Sequence, residues 1–394
     1  MDSPIPFENS AVQTLKRPRV SIIIKSFPHY RKPFFDQLRQ RLDKRGVELE
    51  LVYGQPIGGD SKKGDTVDLP WAQKIRNKTF SLGNKTLVWQ PAVGKAMNAD
   101  LVIVEQASKL ILNYLLWPSR RLFGTKLAFW GHGRNFQGHT AHALGEKLKM
   151  LLSRHVDWWF SYNKLSTQVI NEDIGFPKGK ITTVQNAIDT KALQHSLESL
   201  RPQHLNDARA QLGIKSQNVA IFAGGMYEEK RLGFLLDACE KIRAQVPDFE
   251  MIFIGSGEQK SLVEEVAAQY DWIHYLGPKF GGEKVLYFAL AKVMLMPGLV
   301  GLGILDSFAL QVPLITTDID YHSPEIAYLQ PGENGVLVEE AHSSAAYASA
   351  VAELLQNEAL HDKLKTGCAA ASERYTLETM VSRFEQGVAT ALAL

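Results

Sequence analysis

The sequence predicts an α/β protein built of two doubly wound, Rossmann-like parallel-sheet domains that face each other across a cleft. Short apolar runs alternate with amphipathic helical stretches, the pattern of strands crossing over through helices. The alternation occurs twice along 394 residues, a length that suits two cores better than one. A polar stretch at 196–209, SLESLRPQHLNDAR, separates the two series and sets the expected boundary.

In the first series the apolar runs fall at 20–24, 47–53, 101–104, 126–130, 158–161 and 181–184, with a helical pattern at 34–44. In the second they fall at 218–223, 250–254, 272–275, 293–296, 314–316 and 335–338. Helical periodicity there covers 232–245, 260–269, 283–290, 305–310 and 344–356. The expected units are a first domain over 1–200, a second over 210–377, and a helix at 378–394 crossing back to the first. Residues 1–18 carry no apolar signal-peptide core and are expected to be a disordered lead-in.

Parallel sheets bind ligands beyond the carboxyl ends of their strands. In the first half those positions hold Lys25, Glu105, the Gly131-His132-Gly133 turn, Tyr162-Asn163 and Asn186. In the second they hold Gly224-Gly225, Gly255-Ser256-Gly257, Gly277, Pro297-Gly298 and Thr316. Charged and polar side chains mark the first half. Glycine turns, where backbone amides approach phosphate closely, mark the second. This division predicts an acceptor half, with Lys25, Asn163 and Asn186, and a nucleotide half, with Gly225, Gly257 and Gly277.

Composition narrows the classes. No apolar run is long enough to span a bilayer. Two cysteines, Cys239 and Cys368, form neither a disulfide framework nor a metal-ligand cluster. A cytoplasmic location and no metal cofactor are therefore expected. Residues 1–191 carry 29 Lys+Arg against 16 Asp+Glu, or +13, while the remainder carries 15 against 26, or −11, restoring the overall +2. A basic half implies an anionic partner. No nucleic-acid recognition motif is present.

Two stretches qualify as membrane contacts. The segment 109–124, KLILNYLLWPSRRLFG, sets Trp117 beside Arg120 and Arg121. The segment 143–158 gathers Leu144, Leu148, Leu151, Leu152 and His155 on one helical face, with Lys147, Lys149 and Arg154 elsewhere. Ordinary core-facing helices would give the same pattern. With the charge split, the two stretches point to peripheral attachment to an anionic membrane surface.

The segment IFAGGMYEEKRLGFLLDA ends a strand in two glycines and places Lys230 before a helix, an arrangement that suits a diphosphate. The segment MLMPGLVGLGILDSFALQVPLITTD follows a strand with a glycine-rich loop and a short helix carrying Asp306. Here the chain resembles the retaining family 4 glycosyltransferases of the GT-B fold, of the bacterial surface-polysaccharide type. Glu229-Lys230, Gly255-Ser256-Gly257, Pro313-Leu314-Ile315 and Ser323-Pro324-Glu325, then Gly332 and Asn334-Gly335, stand in that family's order. Val184-Gln185-Asn186-Ala187-Ile188-Asp189 resembles its Asn-Gly-Val-Asp turn.

The resemblance implies transfer of a sugar from a nucleotide-diphospho-sugar, without metal, to a saccharide or lipid-linked acceptor in polysaccharide synthesis. Lys230, alone or with Arg231, would bind the diphosphate. Asp306 would take the ribose, and Leu299, Val300, Gly301 and Leu302 would present amides. His132 would lie near the transferred sugar. Glu105, ending an apolar strand, is a candidate beside it. It would bind acceptor hydroxyls or pair with Arg134 or Lys109.

The chain departs from the family pattern in four places. Gly225 replaces a phosphate-binding Arg. Gly298 replaces the first of two Glu, and Asp306 the second. The segment 25–32, KSFPHYRK, replaces a Gly-Gly loop. These departures keep two rivals open, a non-catalytic sugar-nucleotide binder and a nucleotide-sugar epimerase. Asp318-Ile319-Asp320 has the Asp-x-Asp form of metal-dependent transferases, but its place in a second-half loop argues against a metal.

Overall fold

The structure, a computed structural model, describes residues 16–57, 67–82, 85–133 and 143–393, with backbone alone at 82, 85, 119–123 and 143–148. Arg134 and most of the 1–18 segment lie outside the described residues. The strands of the first half are β1 (Arg19–Ile24), β2 (Glu48–Gly54), β3 (Gln73–Ile75), β4 (Lys78–Leu82), β5 (Lys85–Trp89), β6 (Leu101–Glu105), β7 (Lys126–Gly131), β8 (Trp158–Ser161) and β9 (Ile181–Thr183). Its helices are α1 (Lys32–Lys44), α2 (Val93–Met97), α3 (Ile111–Phe123), α4 (Ala143–Arg154) and α5 (Lys164–Gln168). Two connecting helices follow, α6 (Thr190–Glu198) and α7 (Pro202–Leu212).

The second half contains β10 (Val219–Ala223), α8 (Leu232–Gln245), β11 (Glu250–Ile254), α9 (Lys260–Ala267), β12 (Ile273–Tyr275), α10 (Gly282–Phe288) and β13 (Val293–Leu295). It continues with α11 (Gly303–Ala309), β14 (Leu314–Thr317), β15 (Gly335–Val338), α12 (Ser344–Gln356), α13 (Glu358–Arg374) and α14 (Leu377–Leu392).

The fold is α/β with parallel sheets, as the alternation predicts. One sheet has seven strands in the order β3-β2-β1-β6-β7-β8-β9, the other six in the order β12-β11-β10-β13-β14-β15. Helices cover both faces, so the strands are continuous apolar runs: every residue of β10 and β11 is buried. Strand order reverses between β1 and β6 in the first sheet and between β10 and β13 in the second. At such a reversal the flanking connections leave to opposite sides and open a crevice at the strand ends.

The sequence missed three strands. β3 is a mostly exposed edge strand, and β4 and β5 form a separate antiparallel hairpin. Phe80 within that hairpin is half exposed, so its residues carry little of the apolar burial that marks a core strand. The polar 196–209 stretch is helical rather than an open linker. Pro202 starts α7 at a position where its missing amide costs nothing, and Arg201 and His204 bond reciprocally there. Helix α6 packs against α10 and α11 of the second half.

Trp117 is not an exposed anchor. Its ring lies 6.0 Å from that of His155 and packs against the first half's core, with the indole nitrogen buried. The side chains of Arg120, Arg121, Leu144, Lys147 and Leu148 lie outside the described residues.

Helix α14 leaves the second half and packs on the first sheet. Phe384 stacks on Phe160 at 4.3 Å and meets Trp130 and Phe34 at 5.0 and 5.3 Å. Glu385 pairs with Arg41 and Arg45 of α1 and its flank. This close approach needs Gly387, where an added Cβ would stand 2.5 Å from the Thr182 hydroxyl and 2.7 Å from the Phe160 ring. Gly387→Val should therefore destabilise the protein by about 1–3 kcal/mol through overpacking. Urea unfolding checks this, and an unchanged midpoint would show that the helix does not pack there.

Candidate active site

The two sheet reversals each open a cavity. The second-half cavity holds about 400 Å³ and lies where β10 and β13 end. Lys230 and Asp306 line it, with the Gly224-Gly225 and Gly255-Ser256 turns. Lys230 is buried, and its ammonium donates to the Leu299 carbonyl at 2.5 Å. Burial pushes its pKa down to about 8, against the pull of Glu229. Asp306 is also buried. Its Oδ2 accepts from Lys284 Nζ at 2.6 Å, whereas Oδ1 has no hydrogen-bond partner among the described residues. A buried carboxylate oxygen left in this state favours a ligand that brings a hydroxyl or amide to it.

Two of the departures from the family pattern acquire physical reasons here. An added Cβ at Gly298 would lie 2.3 Å from the Glu229 carbonyl oxygen and 2.4 Å from the Lys230 carbonyl carbon. The Glu229-Lys230 turn fills that space, so no side chain fits at 298. At Gly225 a Cβ would lie 2.7 Å from the Tyr227 ring, whose centroid is 5.4 Å from Lys230 Nζ. An arginine there would displace the ring.

Several expected donor contacts turn elsewhere. Arg231 takes a left-handed backbone at φ 56°, and its guanidinium donates to the Thr317 hydroxyl at 3.0 Å over the Phe234 ring, away from the cavity. The Leu299 amide donates to the Glu229 carbonyl at 2.8 Å. The Val300 amide donates to His322 Nδ1 at 3.0 Å, and His322 Nε2 donates in turn to the Thr317 carbonyl at 2.8 Å. Those two amides hold the loop in place rather than presenting to a ligand. Gly301 and Leu302 do line the cavity. Gly277 supplies a carbonyl to the Gly255 amide at 3.0 Å, and Gly257 packs on Met226, where a Cβ would meet the carbonyl oxygen at 2.3 Å. Both shape the turns from behind.

The first-half cavity holds about 410 Å³ and lies where β1, β6 and β7 end. It is lined by Lys25, Glu105, Lys109, His132, Lys149 and Tyr162, among others. The Lys25 amide donates to Glu105 Oε2 at 2.5 Å. Burial pushes the Glu105 carboxyl up, opposed by that bond and by the charges of Lys25, Arg31 and Lys109. His132 Nδ1 lies 3.3 Å from Ser166 Oγ, and its ring lies 4.2 Å from that of Tyr162. Burial, aided by Arg31, pushes the imidazole down to about 3, so it is neutral at pH 7. Arg31 itself sits 4.4 Å over the Trp130 ring and donates to the Tyr162 hydroxyl at 3.2 Å.

Asn163 and Asn186 tie the halves together instead of facing either cavity. Asn163 caps α5 through the Ser166 amide and donates to the Pro324 carbonyl at 2.5 Å. Asn186 donates to Glu325 at 2.8 Å, and the Tyr328 hydroxyl donates to the Asn186 carbonyl at 3.0 Å. The 25–31 loop spans both cavities. Lys25 lines one and Tyr30 the other, and His29 meets Phe280 edge-on at 5.0 Å. Sequence reading missed Tyr30, Arg31, Tyr227, Lys284, His322 and Lys149 as contributors to these surroundings. Only the cluster of aromatic and basic residues in KSFPHYRK hinted at any of them. Asp318 and Asp320 are exposed, and no metal-holding group of acids, histidines or cysteines occurs among the described residues.

Two facing parallel-sheet halves, each with a cavity at its reversal, define a GT-B architecture. A solved structure shares it: HepE of Anabaena in complex with UDP-glucose superposes with a TM-score of 0.67 at 15% identity, covering 95% of this chain and 100% of that one. Residues 217–357 match the family described as Glycosyl transferases group 1, so the chain carries a glycosyltransferase group 1 domain. A phosphatidyl-myo-inositol mannosyltransferase of Mycobacterium leprae is 28% identical over 165 residues, 40% of this chain and 43% of that protein. An alpha-monoglucosyldiacylglycerol synthase of Acholeplasma laidlawii is 26% identical over 167 residues, 40% of each. The aligned region thus spans less than half the length of these relatives.

His132 gives a pH test of the site. Its folded pKa of about 3 lies below its ordinary 6.5, so between those values the unfolded chain binds the extra proton. Stability is therefore lost as pH falls below 6.5, by at most about 1.4 kcal/mol per unit from this group. His132→Phe should lose less stability than wild type between pH 6.5 and 5 in urea unfolding. Parallel losses would show that the imidazole is not held neutral.

Proposed function

We propose that the chain is a retaining, metal-independent glycosyltransferase that moves a sugar from a nucleotide-diphospho-sugar to a saccharide or lipid-linked acceptor. One observation carries the reading: the buried Lys230 and the half-partnered Asp306 face one cavity inside the segment that matches the group 1 family. Lys230 leaves the Leu299 carbonyl to bind the diphosphate, and Asp306 Oδ1 accepts from a ribose hydroxyl. Lys284 keeps the Asp306 carboxylate oriented for that bond.

The cation and nearby amides stabilise the charge that develops on the leaving phosphate. The leaving phosphate takes the proton of the attacking hydroxyl, which is consistent with retention. A neutral His132 is a hydrogen-bond partner for a sugar hydroxyl and a poor base at pH 7. Glu105 lies in the acceptor cavity to orient the incoming hydroxyl. The sugar is gripped without a side chain at 298, since none fits.

The names of the two relatives make lipid acceptors the first class to test. Docking of the first half on an anionic membrane belongs to the same reading. It is supported by the charge split and by Leu115 of α3 and Leu151 of α4, which are 46% and 45% exposed. No helix among the described residues is long and apolar enough to cross a membrane. A non-catalytic sugar-nucleotide binder is the second reading, favoured by Gly225 and Gly298. Donor binding without any transfer across an acceptor panel would establish it.

Lys230→Ala and Asp306→Ala should each weaken donor binding roughly ten- to a hundredfold, the loss of one charge-assisted hydrogen bond. His132→Ala should lower transfer more than donor affinity. Because Lys230 loses its charge above pH 8 or so, wild-type donor affinity should fall about tenfold per unit beyond it. Calorimetry reads all of these, and unchanged affinity in both nucleotide-half variants would remove the assignment. Transfer should also survive EDTA. Loss on chelation, restored by manganese or magnesium, would bring Asp318 and Asp320 back into consideration.

A further inference from the structure

The 25–31 loop borders both cavities, so whatever fixes its root bears on each. Lys25, its first residue, is held by its main chain on both sides of the Cα. The Lys25 amide donates to Glu105 Oε2 at 2.5 Å, and the Lys25 carbonyl accepts from Asn77 Nδ2 at 2.7 Å. Asn77 stands between β3 and β4, 52 residues from Lys25 in sequence. It lines neither cavity itself.

Asn77 is 5% exposed and seated from several directions. Its amide donates to Gln55 Oε1 at 2.8 Å, its carbonyl accepts from Gln55 Nε2 at 2.9 Å, and Nδ2 also donates to the Gln55 carbonyl at 3.0 Å. Both partners of Nδ2 are carbonyls, which only accept, so the carboxamide meets them through its nitrogen. It lies against Gly54, the last residue of β2, where an added Cβ would stand 2.1 Å from Asn77 Nδ2. Oδ1 is buried and has no hydrogen-bond partner. A residue needed only to fill this space would be an apolar leucine of similar shape, with no buried acceptor left unpaired. The carboxamide is explained by its two donated bonds.

Glu105 is fixed from the other side. Its carbonyl accepts from Asn113 Nδ2 at 2.9 Å, and its carboxylate is met by the Lys25 amide. We propose that Asn77 is a positioning residue for transfer: by holding the Lys25 carbonyl it fixes the Lys25 amide, and through that amide the direction of the Glu105 carboxylate. The proposal rests on the reading of the first-half cavity as the acceptor side, with Glu105 orienting the incoming hydroxyl. Misplacing such a group by about 1 Å can cost roughly a hundredfold in rate.

The bond from the Lys25 amide favours the ionised Glu105, against the burial that pushes its carboxyl up. The other groups that face this carboxylate among the described residues are the side chains of Lys25, Arg31, Lys109, His132, Lys149 and Tyr162. A substitution at 77 removes none of them. Loosening the amide should therefore move the Glu105 titration to higher pH.

That titration is the test, read by NMR in protein labelled at the glutamate carboxyl carbons and assigned with Glu105→Gln. Asn77→Leu keeps the size and removes the donor. Gly54→Ala pushes the carboxamide aside from β2, and it serves if Asn77→Leu fails to fold, which a thermal melt reveals. In each, Glu105 should titrate at higher pH than in wild type. Gly387→Val, destabilised at the α14 contact instead, should titrate as wild type does. Against an acceptor that wild type glycosylates, turnover in the two variants should fall roughly tenfold or more, with a smaller change in acceptor KM. The acid limb of the turnover profile should move to higher pH with the carboxylate. If wild type transfers to no acceptor, the acceptor reading falls, and the titration still decides whether Asn77 sets Glu105. An unchanged Glu105 titration in the variants, or an equal shift in Gly387→Val, overturns the proposal.

Discussion

Both sheets are buried on both faces, and that burial governs where chemistry can occur. A strand covered on each side by helices buries polar groups at a cost, so few stand along its length, Ser21 of β1 and Thr316 of β14 among them. Most charged residues are displaced to the strand ends, and the reversals of strand order hold two of those ends open. Lys25 and Glu105 stand at one reversal, Gly224-Gly225 and Pro297-Gly298 at the other. The junction between the halves is made of buried hydrogen bonds from Asn163, Asn186 and Tyr328, and α14 returns to lock against the first sheet. The 25–31 loop then becomes the element common to both cavities.

Close packing explains what composition alone makes puzzling. Glycines at 225 and 298 look like lost function in the sequence. In the structure the Tyr227 ring and the Glu229-Lys230 turn occupy the space that larger side chains would need. The same turn sends Lys230 to the Leu299 carbonyl and Arg231 to Thr317, so one left-handed residue fixes both flanks of the glycine-rich loop. A left-handed arginine costs on the order of 1 kcal/mol, which its hydroxyl and ring contacts offset.

Much of this was legible beforehand. All twelve expected strands are present because each is a short apolar run closed by a turn, a signal carried by the residues themselves. Lys230 and Asp306 could be picked out by the order of neighbouring motifs. Other features depend on partners remote in sequence. Lys284 matters because α10 delivers it to Asp306, 22 residues away. Arg31 matters because β7 and β8 bring Trp130 and Tyr162 around it. The β4–β5 hairpin escaped notice because it buries little, and Trp117 misled because an aromatic beside basic residues reads the same whether it faces a membrane or a core. The amides of Leu299 and Val300 seemed free in sequence only because His322 and the Glu229 carbonyl approach from elsewhere in the fold.

The central claim is that the second-half cavity is built for a nucleotide diphosphate. Thermal unfolding against a panel of nucleotide-diphospho-sugars, with the matching nucleoside monophosphates, tests it most directly. A ligand that binds only the folded chain at a hundred times its dissociation constant adds about 2.7 kcal/mol of stability. At least one diphosphate in the panel should raise the melting temperature by several degrees, and its monophosphate should raise it much less. No rise with any diphosphate at millimolar concentration, or equal rises with mono- and diphosphates, would contradict the account.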